Sequence, residues 1–208
     1  MKSSKHQVIF IRGGESFENK KQFYRYLKTR PFDIYKQRRS WRDWLEWGLS
    51  ERFDSFTPVM PNKDFADYNA WKIWFERLFP FIKKSKKIKI ILVGNSLGSL
   101  FLLKYLSENR FPKHIDQIHL VCPVIDNSGL IGEYVGNFKL DLRKMGNIER
   151  QTDHLSIYHS RDDPLVPFNH SARLMKHFEM ARLFEFEDRK HFSQPAFMEL
   201  LQNIYEQM

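Results

Sequence analysis

Gly94-Asn95-Ser96-Leu97-Gly98 is the segment whose residue types and spacing point most directly to chemistry. It follows a β-branched, strand-like run and opens a helical pattern, which is the context that the G-x-S-x-G nucleophile motif requires. Glycines two positions before and after the serine remove side chains that would collide in a sharp strand-to-helix turn. The pattern predicts that Ser96 presents a nucleophilic hydroxyl at a helix N-terminus, which favours developing negative charge. A glycine-rich turn that cradles phosphate is the alternative interpretation.

A nucleophilic serine needs a histidine base and an acid that orients it, in the chain order serine, acid, histidine. Asp162 and Asp163 follow a late strand-like segment, and Pro164 restricts Asp163 to an extended backbone. We therefore predict that Asp163 is the acid and that Asp162 caps a turn. Asp126, which follows the preceding strand-like segment, is the alternative acid.

His191 is the predicted base because it follows the last strand-like segment, after Ser96 and Asp163 in the required order. The sequence has eight histidines in all, so position along the chain has to discriminate among them. His170 and His177 lie seven residues apart on a predicted helix and are expected to form a solvent-facing stripe.

Two backbone N–H groups are needed to stabilise the oxyanion of a tetrahedral intermediate. The first predicted donor is Leu97, directly after the nucleophile. The second is Gly14, in the Arg12–Ser16 loop after the first strand, where glycines let the backbone approach a substrate closely. An ordinary turn is the alternative interpretation of this loop. A nucleotide-binding loop is disfavoured because neither the G-x-G-x-x-G nor the Walker spacing is present.

The segments that must position these residues alternate between strand and helix patterns. Short apolar runs predict six strands, at residues 8–11, 55–60, 88–93, 115–121, 155–158 and 183–186. Helical patterns cover residues 17–28, 41–53, 64–82, 97–109, 168–180 and 195–207. We predict an α/β fold with a doubly wound, mainly parallel sheet of about six strands and helices on both faces. Ligands bind beyond the carboxyl ends of the strands in such sheets, which is where the three candidate residues fall.

One domain is expected over residues 1–208, because no repeat, linker or low-complexity tract interrupts the chain. Residues 29–54 and 126–153 fit the alternation less well, and both are candidates for lid or cap elements; a surface connection is an equal alternative for the second. Trp41, Trp44 and Trp47 lie at helical spacing in the first. Packing of this helix on the sheet is favoured over an acyl-binding wall.

Composition excludes several classes of protein. No apolar run approaches the roughly 20 residues of a membrane span or the about 7 of a signal peptide, so a cytoplasmic location is expected. The only cysteine, Cys122, excludes an intramolecular disulfide. No Cys-based zinc site is expected from the sequence, and Cys122 is expected to pack as a small buried hydrophobe. The net charge is +9, but the basic residues are scattered, so no specific nucleic-acid partner is expected.

Together these motifs resemble those of the α/β-hydrolases, and most closely the small single-domain serine hydrolases grouped with the retinoblastoma-binding serine hydrolase. The resemblance spans most of the chain and rests on residues 8–14, 59–61, 94–98, 162–167 and 191–192. It implies a compact α/β-hydrolase fold and metal-independent hydrolysis of esters or related acyl compounds, with no cofactor. The triad of the family falls on Ser96, Asp163 and His191.

The chain departs from this family at Arg12, Asn95 and Lys190, where many members have histidine, histidine and glycine. The L-x-C-x-E pattern that binds retinoblastoma protein is absent, so no such partner is expected. The sequence thus predicts a serine hydrolase, foremost a carboxylesterase for small or medium acyl substrates. A thioesterase, amidase or acyltransferase would use the same triad. The alternatives from other classes are a noncatalytic binding protein with this fold and a basic nucleic-acid-binding protein.

Overall fold

The structure is a computed structural model that describes residues 5–31, 40–130 and 134–208. Its strands are β1 His6–Ile11, β2 Phe53–Phe56, β3 Ile90–Asn95, β4 Ile115–Val121, β5 Thr152–Ser160 and β6 Arg182–Phe186. All five pairings are parallel, and they form a sheet in the order β2-β1-β3-β4-β5-β6. All carboxyl ends therefore meet at one edge, as the sequence predicts.

Seven α-helices connect or flank these strands in the described part of the chain. They are α1 Lys20–Thr29, α2 Trp41–Leu49, α3 Tyr68–Glu76, α4 Leu97–Glu108, α5 Gly146–Glu149, α6 Asn169–Met175 and α7 Met198–Glu206. Short 3-10 turns occur at Phe79–Phe81 and Leu142–Lys144. None of the described helices is long and apolar enough to cross a membrane.

Two apolar cores lie on opposite faces of the sheet, because successive strand side chains point in opposite directions. In β1, Ile9 and Ile11 belong to the core formed with α3, α4, α5 and α6. Val8 and Phe10 belong to the core formed with α2 and α7. This arrangement confirms the predicted doubly wound sheet with helices on both faces.

The boundaries of several elements differ from the prediction for local reasons. The predicted strand at 55–60 is β2 at Phe53–Phe56, where it pairs with His6–Ile9 of β1. The predicted helix at 41–53 therefore ends at Leu49. The predicted helix at 64–82 begins only at Tyr68, because the Asp67 carboxylate accepts a hydrogen bond from the Ala70 N–H and caps it.

The tryptophan-rich helix α2 packs on the sheet, as the favoured interpretation expected. Trp41, Leu45 and Leu49 are buried in the second core, whereas Trp47 is 75% exposed. In the other irregular segment, Phe138 is fully buried in the first core. Residues 32–39 and 131–133 of the two candidate lid segments lie outside the described residues.

A buried polar network joins the central strands to α7. The His119 ring of β4 lies 2.9 Å from the Tyr158 hydroxyl and 2.9 Å from Gln117 Oε1. Asn203 of α7 donates a hydrogen bond to the same hydroxyl. Burial, with a smaller contribution from His154, lowers the pKa of His119 to about 3. His119 is therefore neutral in the folded protein.

We expect His119 to make the folded state less stable in acid. The unfolded chain binds a proton on this histidine below about pH 6.5, while the folded chain does not until about pH 3. Above pH 6.5 His119 is neutral in both states and costs no stability. Below that pH the free energy of unfolding falls by about 1.4 kcal/mol per pH unit because of this one histidine. Urea unfolding measured between pH 8 and pH 5 should show that the free energy of unfolding falls more steeply toward acid for the wild type than for His119→Gln. Equal slopes would contradict this assignment.

Candidate active site

Ser96 lies in the sharp turn between β3 and α4. Its φ of 54° and ψ of −120° place it in a strained conformation that residues other than glycine rarely adopt. A Cβ on Gly98 would lie 2.1 Å from the Ile11 carbonyl oxygen, and one on Gly94 would lie 2.8 Å from Ser99 Cα. The two motif glycines therefore allow the first turn of α4 to pack directly against β1 and its own strand. Ser96 itself is half-buried at the carboxyl edge.

The loop after β1 passes next to this turn. A Cβ on Gly13 would lie 3.3 Å from Ser96 Cβ, so the loop backbone borders the nucleophile. Gly14 is packed against a different neighbour, since a Cβ there would lie 2.5 Å from the Lys63 carbonyl oxygen. Leu97 is the first residue of α4, and its N–H has no acceptor within the helix. Leu97 thus directly follows Ser96, and within the loop Gly13, rather than the predicted donor Gly14, is the glycine that borders the nucleophile.

Asp163 and His191 are brought together by the loops after β5 and β6. His191 Nδ1 lies 2.8 Å from Asp163 Oδ2, and the Asp163 side chain is fully buried. Asp163 Oδ1 accepts hydrogen bonds from the N–H groups of Leu165 and Val166 at 2.9 and 3.0 Å. The turn set by Pro164 therefore supplies the backbone donors that hold the carboxylate in place.

Electrostatics favours the charged forms of both partners. Burial alone would favour the neutral acid, but the nearby His159 ring, 3.5 Å away, and the hydrogen bond from His191 hold the pKa of Asp163 well below its usual range. Burial likewise opposes a charged imidazole, yet the attraction of Cys122 and the hydrogen bond to Asp163 raise the pKa of His191 well above its usual value. These interactions stabilise the imidazolium that forms when His191 accepts a proton, and His191 acts as a base from its neutral form.

The second nitrogen of His191 faces a sulfur atom. His191 Nε2 lies 3.7 Å from Cys122 Sγ, and among the described residues no hydrogen bond joins it to Ser96. Ser96 and Cys122 follow adjacent strands, and the Ser96 N–H donates to the Val121 carbonyl at 2.9 Å. Catalytic hydrogen bonds are often loose in proteins without substrate. Cys122 is buried as expected, but its contact with His191 was not predicted.

A chain of polar contacts runs from α2 to this sulfur. Asn95 Nδ2 donates to Cys122 Sγ at 3.2 Å, and Arg42 Nε donates to Asn95 Oδ1 at 2.9 Å. The Trp41 indole N–H donates to the Phe192 carbonyl at 2.9 Å, next to the histidine. Helix α2 thus contacts both the serine turn and the histidine loop, which no local pattern in the sequence indicates.

The remaining sequence candidates occupy structural positions. Asp162 accepts hydrogen bonds from the Ser160 hydroxyl at 2.5 Å and the Lys190 N–H at 2.8 Å, which agrees with a turn-capping role. Asp126 forms an ion pair with Arg173 at 2.5 Å rather than contacting His191. The predicted solvent-facing histidine stripe is wrong for His170, which is 1% exposed because its ring binds the Ser128 carbonyl and the Ile125 N–H.

A cavity of about 330 Å³ adjoins the loop after β1. Arg12 and Gly13 line one side, and Thr57–Met60, which follow β2, line another. Glu46 accepts hydrogen bonds from Arg12 at 2.9 Å and from the Thr57 hydroxyl at 2.7 Å. Gly13 connects this cavity to the Ser96 turn, although Ser96 and His191 do not themselves line it.

Comparison with known proteins identifies the family of the chain. The family model described as serine hydrolase matches residues 37–206. Serine hydrolase RBBP9 of Rattus norvegicus is 23% identical over 168 residues, which cover 79% of this chain and 84% of the rat protein.

Two solved structures share the fold. The ydeN gene product from B. subtilis superposes with a TM-score of 0.72 at 19% identity, covering 98% of each chain. Est1E from Butyrivibrio proteoclasticus gives a TM-score of 0.64 at 15% identity, covering 98% of this chain and 88% of its own. The match to the family model over most of the sequence, together with these relatives, shows that the chain belongs to the serine hydrolase family and has the α/β-hydrolase fold.

Proposed function

We propose that this member of the serine hydrolase family is a carboxylesterase for small or medium acyl esters, with Ser96, His191 and Asp163 as its triad. The observation that carries the proposal is the 2.8 Å contact between His191 Nδ1 and the buried Asp163 carboxylate. It leaves Nε2 as the nitrogen available to a serine at the same sheet edge. Support also comes from the strained Ser96 backbone, which is typical of a nucleophile turn.

Acylation begins when Ser96 Oγ attacks the carbonyl carbon of the ester and its proton passes to His191 Nε2. The carbonyl π electrons move to the oxygen, and the N–H groups of Leu97 and Gly14 stabilise the resulting oxyanion. Asp163 stabilises the imidazolium through Nδ1. The intermediate collapses as the C–O bond of the ester breaks, and the alkoxide leaves with the proton from His191.

Deacylation repeats these steps with water. His191 Nε2 accepts a proton from water while the water oxygen bonds to the acyl carbon of the Ser96 ester. The second oxyanion collapses by breaking the bond to Ser96 Oγ, which takes the proton back from His191. The free acid leaves, and Ser96 and His191 regain their initial protonation states.

The cavity next to Gly13 supports a substrate of limited size. Its volume of about 330 Å³ lies at the small end of ligand sites, which span about 300–1,000 Å³. Its wall includes the apolar side chains of Val59 and Met60 as well as the charged Arg12 and Glu46. These dimensions support short or medium acyl groups over long fatty chains.

Replacing Ser96 by alanine should remove the nucleophile. We expect hydrolysis of p-nitrophenyl acetate and butyrate to fall at least about 10³-fold, with the fold unchanged by circular dichroism. A fluorophosphonate should add one label to the wild-type chain and none to Ser96→Ala, as read by intact mass. Ser85→Ala is the matched control, because Ser85 is exposed before β3, at the opposite sheet edge.

Equal rates in wild type and Ser96→Ala would contradict the triad. Absence of both hydrolysis and labelling in the wild type would favour a noncatalytic binding protein. Labelling without ester hydrolysis would retain the nucleophile and move the assignment toward thioesters or amides.

Two neighbouring aspartates provide a matched pair of variants. Asp163→Asn should lower kcat roughly 10³- to 10⁴-fold, because the neutral amide cannot stabilise the His191 imidazolium. Asp162→Asn should lower it less than about tenfold, since the amide oxygen can still accept from Ser160 and the Lys190 N–H. Steady-state kinetics of both variants on p-nitrophenyl butyrate provide the measurement. A larger loss at Asp162 than at Asp163 would reverse the assignment of the acid.

A further inference from the structure

Cys122 and His191 form a pair of metal-ligand atoms at the floor of the candidate active site. The described residues contain one group of three metal-ligating side chains, namely Cys122, Asp163 and His191, whose ligand atoms all lie within 4.8 Å of one another. Within it, Cys122 Sγ and His191 Nε2 are 3.7 Å apart. The proposed reaction uses Nε2 but assigns no role to the sulfur.

The separation of these two atoms matches an edge of a zinc coordination tetrahedron. Zinc binds cysteine sulfur at about 2.3 Å and histidine nitrogen at about 2.0–2.1 Å. With a tetrahedral angle, those bond lengths give a sulfur-to-nitrogen distance of about 3.6 Å. The distance between Cys122 Sγ and His191 Nε2 is 3.7 Å, so an ion could bind both atoms with little movement of either.

Both residues already have hydrogen-bond partners of the kind that surround metal ligands. Asp163 accepts the hydrogen bond from His191 Nδ1, as a carboxylate does behind many zinc-bound histidines. Asn95 Nδ2 donates to Cys122 Sγ at 3.2 Å, which stabilises negative charge on the sulfur. The Cys122 N–H donates to the Tyr158 carbonyl at 2.8 Å and anchors its backbone to β5.

Access to the pair is from the side of the substrate and through His191, because Cys122 itself is fully buried. The His191 side chain keeps 17% of its surface exposed, and Ser96 is half-buried at the same edge. A metal held by two protein atoms would complete its coordination with water from that side. Sulfur and imidazole together select borderline-soft ions such as Zn²⁺ over Mg²⁺ or Ca²⁺, which prefer oxygen ligands.

We propose that Cys122 and His191 bind Zn²⁺, and that the bound ion inhibits the hydrolase by occupying Nε2. The Cys122 thiol loses its proton to solvent as the zinc–sulfur bond forms. A protonated His191 likewise releases its Nε2 proton to solvent, and the freed lone pair forms the second bond. Inhibition rests on the proposed function, because it assumes that Nε2 is the base. Metal binding itself does not rest on it.

Cobalt substitution tests the site without relying on activity. Co²⁺ added to the 208-residue chain, either wild type or Ser96→Ala, should give a thiolate-to-cobalt charge-transfer band in the near ultraviolet. Cys122→Ser should abolish the band, and Asp163→Asn should weaken cobalt affinity about 10- to 100-fold. His114→Gln is the matched control, because His114 and Asp153 form a separate exposed pair that offers no sulfur.

Absence of the band in the wild type, or its persistence in Cys122→Ser, would overturn the metal site. Cys122→Ala, checked for folding by circular dichroism, provides a second variant if the serine form is unstable. A chain that shows the cobalt band but hydrolyses no ester would support the site and contradict the proposed function.

Inhibition is then measured with Zn²⁺ on p-nitrophenyl butyrate hydrolysis. We expect reversible inhibition that EDTA removes and that equal concentrations of Mg²⁺ do not reproduce. Relative to the zinc-free rate of each chain, Cys122→Ala should need at least about tenfold more Zn²⁺ for half-inhibition. Equal zinc sensitivity in the two chains would overturn the inhibitory role of Cys122.

Discussion

The close approach of the first turn of α4 to the end of β1 is the constraint on which the site depends. The Gly98 backbone packs so near the Ile11 carbonyl that no side chain fits between them. This contact compels the chain to reverse direction within one residue, and Ser96 takes the strained conformation at that reversal. The loop after β1 passes next to the same turn, where Gly13 borders Ser96. The position of the nucleophile beside this loop is thus a consequence of the packing between α4 and β1.

A buried carboxylate imposes a second requirement. Asp163 has no exposed side-chain surface, and an isolated charge there would cost several kcal/mol. Two backbone N–H groups and the His191 ring supply the compensation. Nearby His159 Nε2, at 3.5 Å, adds a further polar neighbour. The hydrogen bond that compensates the Asp163 charge also fixes the orientation of the His191 ring. The conformations of the loops after β5 and β6 therefore depend on each other.

The sequence was most informative where a functional residue needs a particular local backbone conformation. The glycines of the Gly94–Gly98 motif and the proline after Asp163 act on residues next to them in the chain, so the sequence alone reveals both patterns. Chain order then separates His191 from the other histidines. The sheet was predictable for a similar reason, since strands buried on both faces are continuously apolar. Edge strand β2 has a weaker signal, because it has a neighbouring strand only on the β1 side.

What could not be predicted depends on contacts between distant parts of the chain. Cys122 and His191 are 69 positions apart, and Arg42 and Asn95 are 53 apart. Nothing in the surroundings of either residue along the chain specifies its partner. His170 illustrates the same limit, since its burial results from bonds to a segment more than 40 positions earlier. Helical spacing reports which residues share a face, and tertiary packing decides whether that face is covered.

Helix α2 contacts three parts of the site that are remote from one another in the sequence. Arg12 of the first loop pairs with Asp43 at 2.6 Å, Arg42 binds Asn95, and Trp41 binds the Phe192 carbonyl. A rigid-body shift of this one helix would therefore displace the nucleophile turn, the loop beside it and the histidine loop together. The relative positions of these three segments thus depend partly on a helix that contributes none of the proposed reacting groups.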